Sequence, residues 1–218
     1  MFYTNNPDEA FRLGDIVTGF VLSTSCIKSP IATLSKLGHE YSIGVHFSGY
    51  SVILTPCCSI GDGVILLTPL VRIARKFFAN PYLEEDMTRI NSKMLPEQSV
   101  PPVQWEKMTQ EEKTRRFDMS QRESYTFLDY FVYAPHDLLP QYSLDVLRRG
   151  KAESRGKVET GHCMIDFRKT CRVECKEIVN PKKVPLGAKV LQLTAESRQH
   201  LRDKFTYYFN RIPVEDSV

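Results

Sequence analysis

The sequence predicts a strand-rich α+β fold: a small curved antiparallel β-barrel with a C-terminal amphipathic helix and a helical insertion over 71–124, all in one domain spanning 1–218. Three observations carry this. Short β-branched runs follow one another closely up to residue 69, separated by turn signals. A polar, proline-punctuated block then interrupts them. The last stretch, "AESRQHLRDKFTYYFNRI", repeats its apolar residues at helical spacing.

"LGDIVTGFVLS" (13–23) is a β-branched run opened by the turn pair Gly14-Asp15. "SCIKSPIATLSKLGHE" (25–40) has no sustained period and reads as a loop. "YSIGVHF" (41–47), "YSVILT" (50–55) and "GVILLTP" (63–69) are three further strands. Ser48-Gly49 and "SIGDG" (59–63) separate them as turns. Close spacing of short strands points to a small barrel or curled sheet. From Arg72 to about Ser124 the pattern turns polar and helical. Asn80-Pro81 ends a first short helix, "PEQSVPP" (96–102) is a connection, and Thr109-x-x-Glu112 is a capping-box pattern.

"YTFLDYFVYAPH" (125–136) returns to strand composition. "DLLPQYSLDVLRRGKAESRGK" (137–157) reads as a loop ending in a basic stretch, and "GHCMIDFRKTCRVEC" (161–175) as one bent strand or two. "KVLQLT" (189–194) is extended. In the last segment Leu201, Phe205, Tyr208, Phe209 and Ile212 fall on one helical stripe, with Thr194 as the N-cap.

The 218 residues carry a formal charge of +3, too mild to argue for nucleic acid by itself. No apolar run approaches the roughly 20 residues of a membrane span, and the opening "MFYTNNPDEAFRLGD" lacks the layout of a signal peptide. A cytoplasmic protein without a membrane partner is expected, its six cysteines reduced thiols.

Several of these pieces, in this order, resemble a known family. "RLGDIVTGF", "SVILTPCCS", "GVILLTPL", then "CMIDFRKTCRV", "KVLQLTAESRQHL" and the last helix are similar to the MazF/PemK-like toxin barrels. The match is closer to uncharacterised bacterial relatives of that superfamily. Cys58-Ser59-Ile60, Asp166-Phe167-Arg168-Lys169, and Leu201, Phe205, Phe209 and Arg211 carry it. It covers 12–71 and 160–212. In the ribonuclease toxins an arginine before the second strand serves the scissile phosphate. Here that position reads "FSGYSVILT" and has no arginine. Thr68 lies near the place of the family's catalytic hydroxyl. A phosphodiester cleaver needs a donor set for the developing charge, so the resemblance implies a barrel frame without the ribonuclease residues.

The candidate sites weigh as follows. Adjacent strand residues point to opposite faces, so Cys57 and Cys58 cannot share one metal without a bend. Packing at the edge of the core is the favoured reading, with Cys58 the one to test. Cys171 and Cys175 share a strand face but lie about 13 Å apart along it. With Cys163 and His162 they remain the weakest metal candidates, and no cofactor is assigned. Cys26, Ser23 and Ser25 with His39 or His46 offer a nucleophile and a base but no nucleophile elbow. Asp166 reads as the tie of a turn. Between Arg148 and Lys189 twelve basic residues face five acidic ones. Arg148, Arg149, Lys151, Arg155 and Lys157 are therefore the candidate phosphate contacts. The stretch "RRGKAESRGK" lacks the aromatic residues on which single strands stack.

The expected function is a non-catalytic protein-interaction module of a prokaryotic regulatory or antiviral-defence system, toxin–antitoxin- or CRISPR-associated, whose partner is another protein of that system. The alternative is a nucleic-acid-binding protein, or a residual endoribonuclease, working through 148–189.

Overall fold

The computed structural model describes residues 1–20, 22–27, 41–46, 49–56, 59–60, 64–121, 125–148, 154–174 and 188–210. The chain forms two compact units. One holds Met1–Asn6, Val71–Arg168 and Leu193–Val218; the other holds Pro7–Leu70 and Lys169–Gln192. No helix among the described residues is long and apolar enough to cross a membrane.

The second unit is built on a five-stranded antiparallel sheet. Its strands are β1 (Ile16–Thr18), β4 (Ser51–Ile53), β5 (Val64–Pro69), β11 (Cys171–Glu174) and β12 (Ala188–Leu191), in the order β11-β5-β4-β1-β12. A separate ribbon pairs β2 (Leu22–Ile27) with β3 (Tyr41–His46). Phe11, Val17, Leu22, Ile53, Ile65 and Leu67 form the core of this unit. Burying each large aliphatic or aromatic side chain is worth about 1.5–3 kcal/mol. Gly14 takes φ 86°, where a side chain would be strained, and its N–H donates to the Ile53 carbonyl at 2.7 Å. That turn delivers Asp15 into the interior, where it is fully buried. Its Oδ2 accepts from the Arg12 N–H and from Lys189 Nζ, each at 2.9 Å. Lys189 Nζ also donates to the Asp8 carbonyl at 2.7 Å, so β12 and the 8–15 segment are fastened by one ammonium.

The first unit carries a three-stranded antiparallel sheet of β6 (Val71–Arg72), β10 (Cys163–Asp166) and β7 (Tyr130–Tyr133), ordered β6-β10-β7. It also has a long hairpin of β8 (Tyr142–Arg148) and β9 (Ser154–Thr160). The helices are α1 (Pro81–Glu84), α2 (Pro102–Lys107), α3 (Gln110–Gln121) and α4 (Ala195–Asn210). Short 3₁₀ helices cover Arg75–Ala79, Met87–Asn91 and Pro96–Gln98. The block 71–121 is thus mainly helical, as its composition predicts. Asn80 stops the first of these helices and caps α1, its side chain accepting from the Tyr82 N–H. The capping box forms: the Glu112 N–H donates to Thr109 Oγ1 and the Thr109 N–H to Glu112 Oε2. Thr194 caps α4 through the Ser197 N–H at 3.2 Å.

The open edge of β7 is closed by a side chain. Asn91 donates to the Val132 carbonyl at 2.6 Å and accepts from the Val132 N–H at 2.7 Å. The turn after β10 is tied as the sequence predicts. Asp166 Oδ1 accepts from the Arg168 backbone N–H, and both its oxygens take the Arg168 guanidinium at 2.8 Å.

Two expectations need correction. The strands form an α+β, β-rich arrangement of antiparallel sheets, and β4 and β5 are neighbours as predicted. Among the described residues, however, no closed barrel forms: β11 and β12 are the two ends of an open sheet. Within 137–157, expected as a loop, Tyr142–Arg148 is a strand and residues from Ser154 onward form its partner. Tyr142, Leu144 and Val146 are buried while Ser143 and Asp145 are exposed, the period-two signature of a strand. The basic cluster and Pro140 mask that alternation in the sequence. The segment 161–175, read as one bent strand or two, holds two strands, Cys163–Asp166 and Cys171–Glu174, separated by the turn that follows Asp166.

Candidate functional site

Thr68 lies in β5 opposite Val52 and is fully buried. Its hydroxyl is shielded from solvent there. The pair Cys57-Cys58, His39, Arg149, Lys151 and Cys175 lie outside the described residues. Ser23, Ser25, Cys26 and His46 are placed by backbone only, in β2 and β3.

Cys163 and Cys171 are both buried. Cys163 belongs to β10 in the first unit, and Cys171 to β11 in the second. Burial pushes the Cys163 thiol up to about 11, partly offset by Arg72, and raises Cys171 in the same way. A metal ligand or nucleophile needs the thiolate, which both sites disfavour. Among the described residues no three His, Cys, Asp or Glu side chains are grouped to hold a metal ion.

The basic candidates fall on the β8–β9 hairpin. Arg148 pairs with Ser154, Leu147 with Arg155, and Asp145 with Lys157. Residues directly opposite share a face. The described side chains on the exposed face are therefore Ser143, Asp145, Lys157 and Glu159. Among the described side chains of that face, two carboxylates stand alongside one ammonium.

The first unit contains a cleft of about 510 Å³, which sequence reasoning missed. Asp86, Asn91, His162, Glu196, Ser197 and His200 are among its walls. Burial holds the His162 imidazole below its ordinary pKa, and Asp86 works against that. Its Nδ1 lies 3.0 Å from Thr160 Oγ1, which also accepts the His162 N–H. The Asp86 carboxylate takes both the Thr88 N–H and hydroxyl, Asn91 is bound to Val132, and Ser197 is bound to the Thr194 cap. Asp86, Asn91, His162 and Ser197 thus hold local backbone and loops together.

The most conspicuous surface is the outer face of the β2–β3 ribbon. Ile43 is 71% exposed and Val45 50% exposed. They stand two residues apart on β3 and so project from one face, in register with Ser25 and Ser23 of β2. The alternation of Tyr41, Ile43 and Val45 with Ser42, Gly44 and His46 is the period-two pattern of a strand, which by itself does not say which face is covered. The structure turns that apolar row to solvent at Ile43 and Val45, and only the sheet topology shows it.

Sequence reasoning also missed Lys204, which sits on the apolar stripe of α4 and is fully buried. Its ammonium donates to the Ile90 carbonyl at the end of the Met87–Asn91 helix. The signal was present: Lys204 lies three residues after Leu201 and one before Phe205, on the face that the stripe defines. No protein-family model matches the chain, and no curated protein or solved structure matches it.

Proposed function

We propose that this chain is a non-catalytic protein-interaction module that docks another protein through the outer face of the β2–β3 ribbon. The exposed pair Ile43 and Val45 carries the reading. Apolar side chains held side by side on a regular strand gain by being covered, and a ribbon with no third strand among its described residues offers backbone for strand addition. The buried Thr68 and the cleft's engaged polar groups support a non-catalytic role. A setting in a prokaryotic regulatory or antiviral-defence system, and a barrel frame of MazF/PemK-like kind, rest on the sequence resemblance, a fold-level analogy.

The test is co-purification of the tagged chain from its native host, at low and at moderate salt, alongside a variant with Ile43→Ser and Val45→Ser. A specific partner should be retained as salt rises and lost in the variant, with the melting temperature unchanged. Retained nucleic acid that washes off steeply between low and moderate salt, and is lost when Arg148, Arg155 and Lys157 become Ala, would instead establish the nucleic-acid reading.

A further inference from the structure

Three aromatic rings of the first unit form a box, and the chain's own lysine occupies it. Phe77 lies at the bottom, fully buried. The Phe127 ring stands against it at 4.9 Å between centroids and 75°, and the Tyr130 ring at 5.6 Å and 78°. Two walls therefore rise nearly perpendicular to one floor. The ammonium of Lys76 sits 5.4 Å from the centroid of the floor, 5.8 Å from Phe127 and 4.5 Å from Tyr130. All three lie within the range at which a ring quadrupole attracts a cation.

Two independent observations set this box apart from ordinary packing. Phe127 has φ 52°, the one non-glycine residue in the left-handed region among those described. A bulky side chain held there costs free energy, and such strain gathers at ligand clamps. The charge around the box is also balanced with Lys76 as part of it. Arg168 bonds the Tyr130 hydroxyl at 2.7 Å and lies between Asp166 at 2.8 Å and Asp129 at 3.5 Å. With Lys76 seated, two cations face two carboxylates. With Lys76 swung out, the group carries one net negative charge beside a vacated aromatic box.

The geometry points to a binding site for a quaternary ammonium head, held shut by Lys76 as a built-in competitor. The primary ammonium lies nearest one wall, 4.5 Å from the Tyr130 ring, to whose hydroxyl it also donates at 3.4 Å, and near the outer limit of cation–π range from the other two rings. A trimethylammonium head carries the same charge in a wider methyl shell, sheds its water more readily and meets all three rings at once. Lys76 is an exposed residue of a short 3₁₀ helix, so its side chain can leave without disturbing the fold. This inference goes beyond the proposed docking role, concerns other residues in the other unit, and stands or falls separately from it.

The experiment titrates choline, and a peptide bearing one trimethyl-lysine, into the full chain while ligand methyl and protein aromatic resonances are followed by NMR. Binding should tighten roughly two- to tenfold in Lys76→Ala, because a cation–π occupant worth about 0.5–1.4 kcal/mol has been removed. It should be lost in Tyr130→Leu and kept in Tyr130→Phe, which retains the wall. The uncharged tert-butyl analogue of choline should bind at least tenfold more weakly. Tighter binding of the peptide would identify a modified protein as the source, and tighter binding of choline a small metabolite or lipid headgroup. The inference is overturned if Lys76→Ala does not raise the affinity, if the tert-butyl analogue binds as well as choline, or if folded Tyr130→Leu binds unchanged.

Discussion

Lys204 gives this protein a stability that climbs with pH through the neutral range. Burial drives its ammonium from the ordinary 10.5 down to about 7, against an opposing pull from Asp129. The unfolded chain takes up the proton everywhere below 10.5, the folded chain only below about 7. Between those limits unfolding binds a proton, so stability rises with pH, by up to about 1.4 kcal/mol per pH unit. Below pH 7 the whole cost is present, on the order of 5 kcal/mol across the interval. Other shifted groups act outside a usable window. His162 is held below its ordinary 6.5 by burial, so its effect on stability is spent once the pH passes that value. Cys163, Cys171, Tyr3 and Tyr142 are acids raised by burial, whose contributions fall away above pH 9. Urea unfolding at steps from pH 7 to 8.5 should therefore show stability growing by roughly 1–2 kcal/mol. The Lys204→Met variant keeps the apolar stem and should be flat across the window and more stable than the wild type at pH 7. A wild-type profile that is flat or falling, or a slope that survives in Lys204→Met, would refute the reasoning.

Two further perturbations follow from buried polar bonds. Asn91→Ala leaves the Val132 N–H and carbonyl without their side-chain partners and should cost about 2–4 kcal/mol by chemical denaturation. Thr194→Ala removes the cap of α4 and should cost about 1 kcal/mol, with Thr194→Ser restoring most of it; equal stability of both variants would show the cap bond to be idle.

The parts of the fold set by local pattern were legible. Thr194 and the Thr109–Glu112 box were read from residue type and spacing, because a cap is a contract between neighbours a few positions apart. Strands β4 and β5 were read from β-branched runs flanked by turns. Closure of a barrel was not legible, since it depends on which edges meet across the chain. The β8–β9 hairpin was hidden because its charges drew the eye from Tyr142, Leu144 and Val146. The aromatic box was invisible for a related reason: Phe77 lies some fifty residues before Phe127 and Tyr130, and the three become neighbours only in the folded chain.

The amide of Asn91 also bears on how copies of this protein behave in a crowd. A strand at the edge of a sheet is a template on which another chain can register and grow, and many proteins guard such edges with charge or proline. Here the guard is a single side chain shaped like a peptide group. By occupying both hydrogen-bonding directions of Val132 at once, it imitates the missing neighbour and leaves an intruding strand nothing to grip at the middle of β7. Replacing that amide by a carboxylate would keep its size but strip the donor. The carbonyl of Val132 would then face a buried charge instead of a donor, and both the fold and its guarded edge would be weakened.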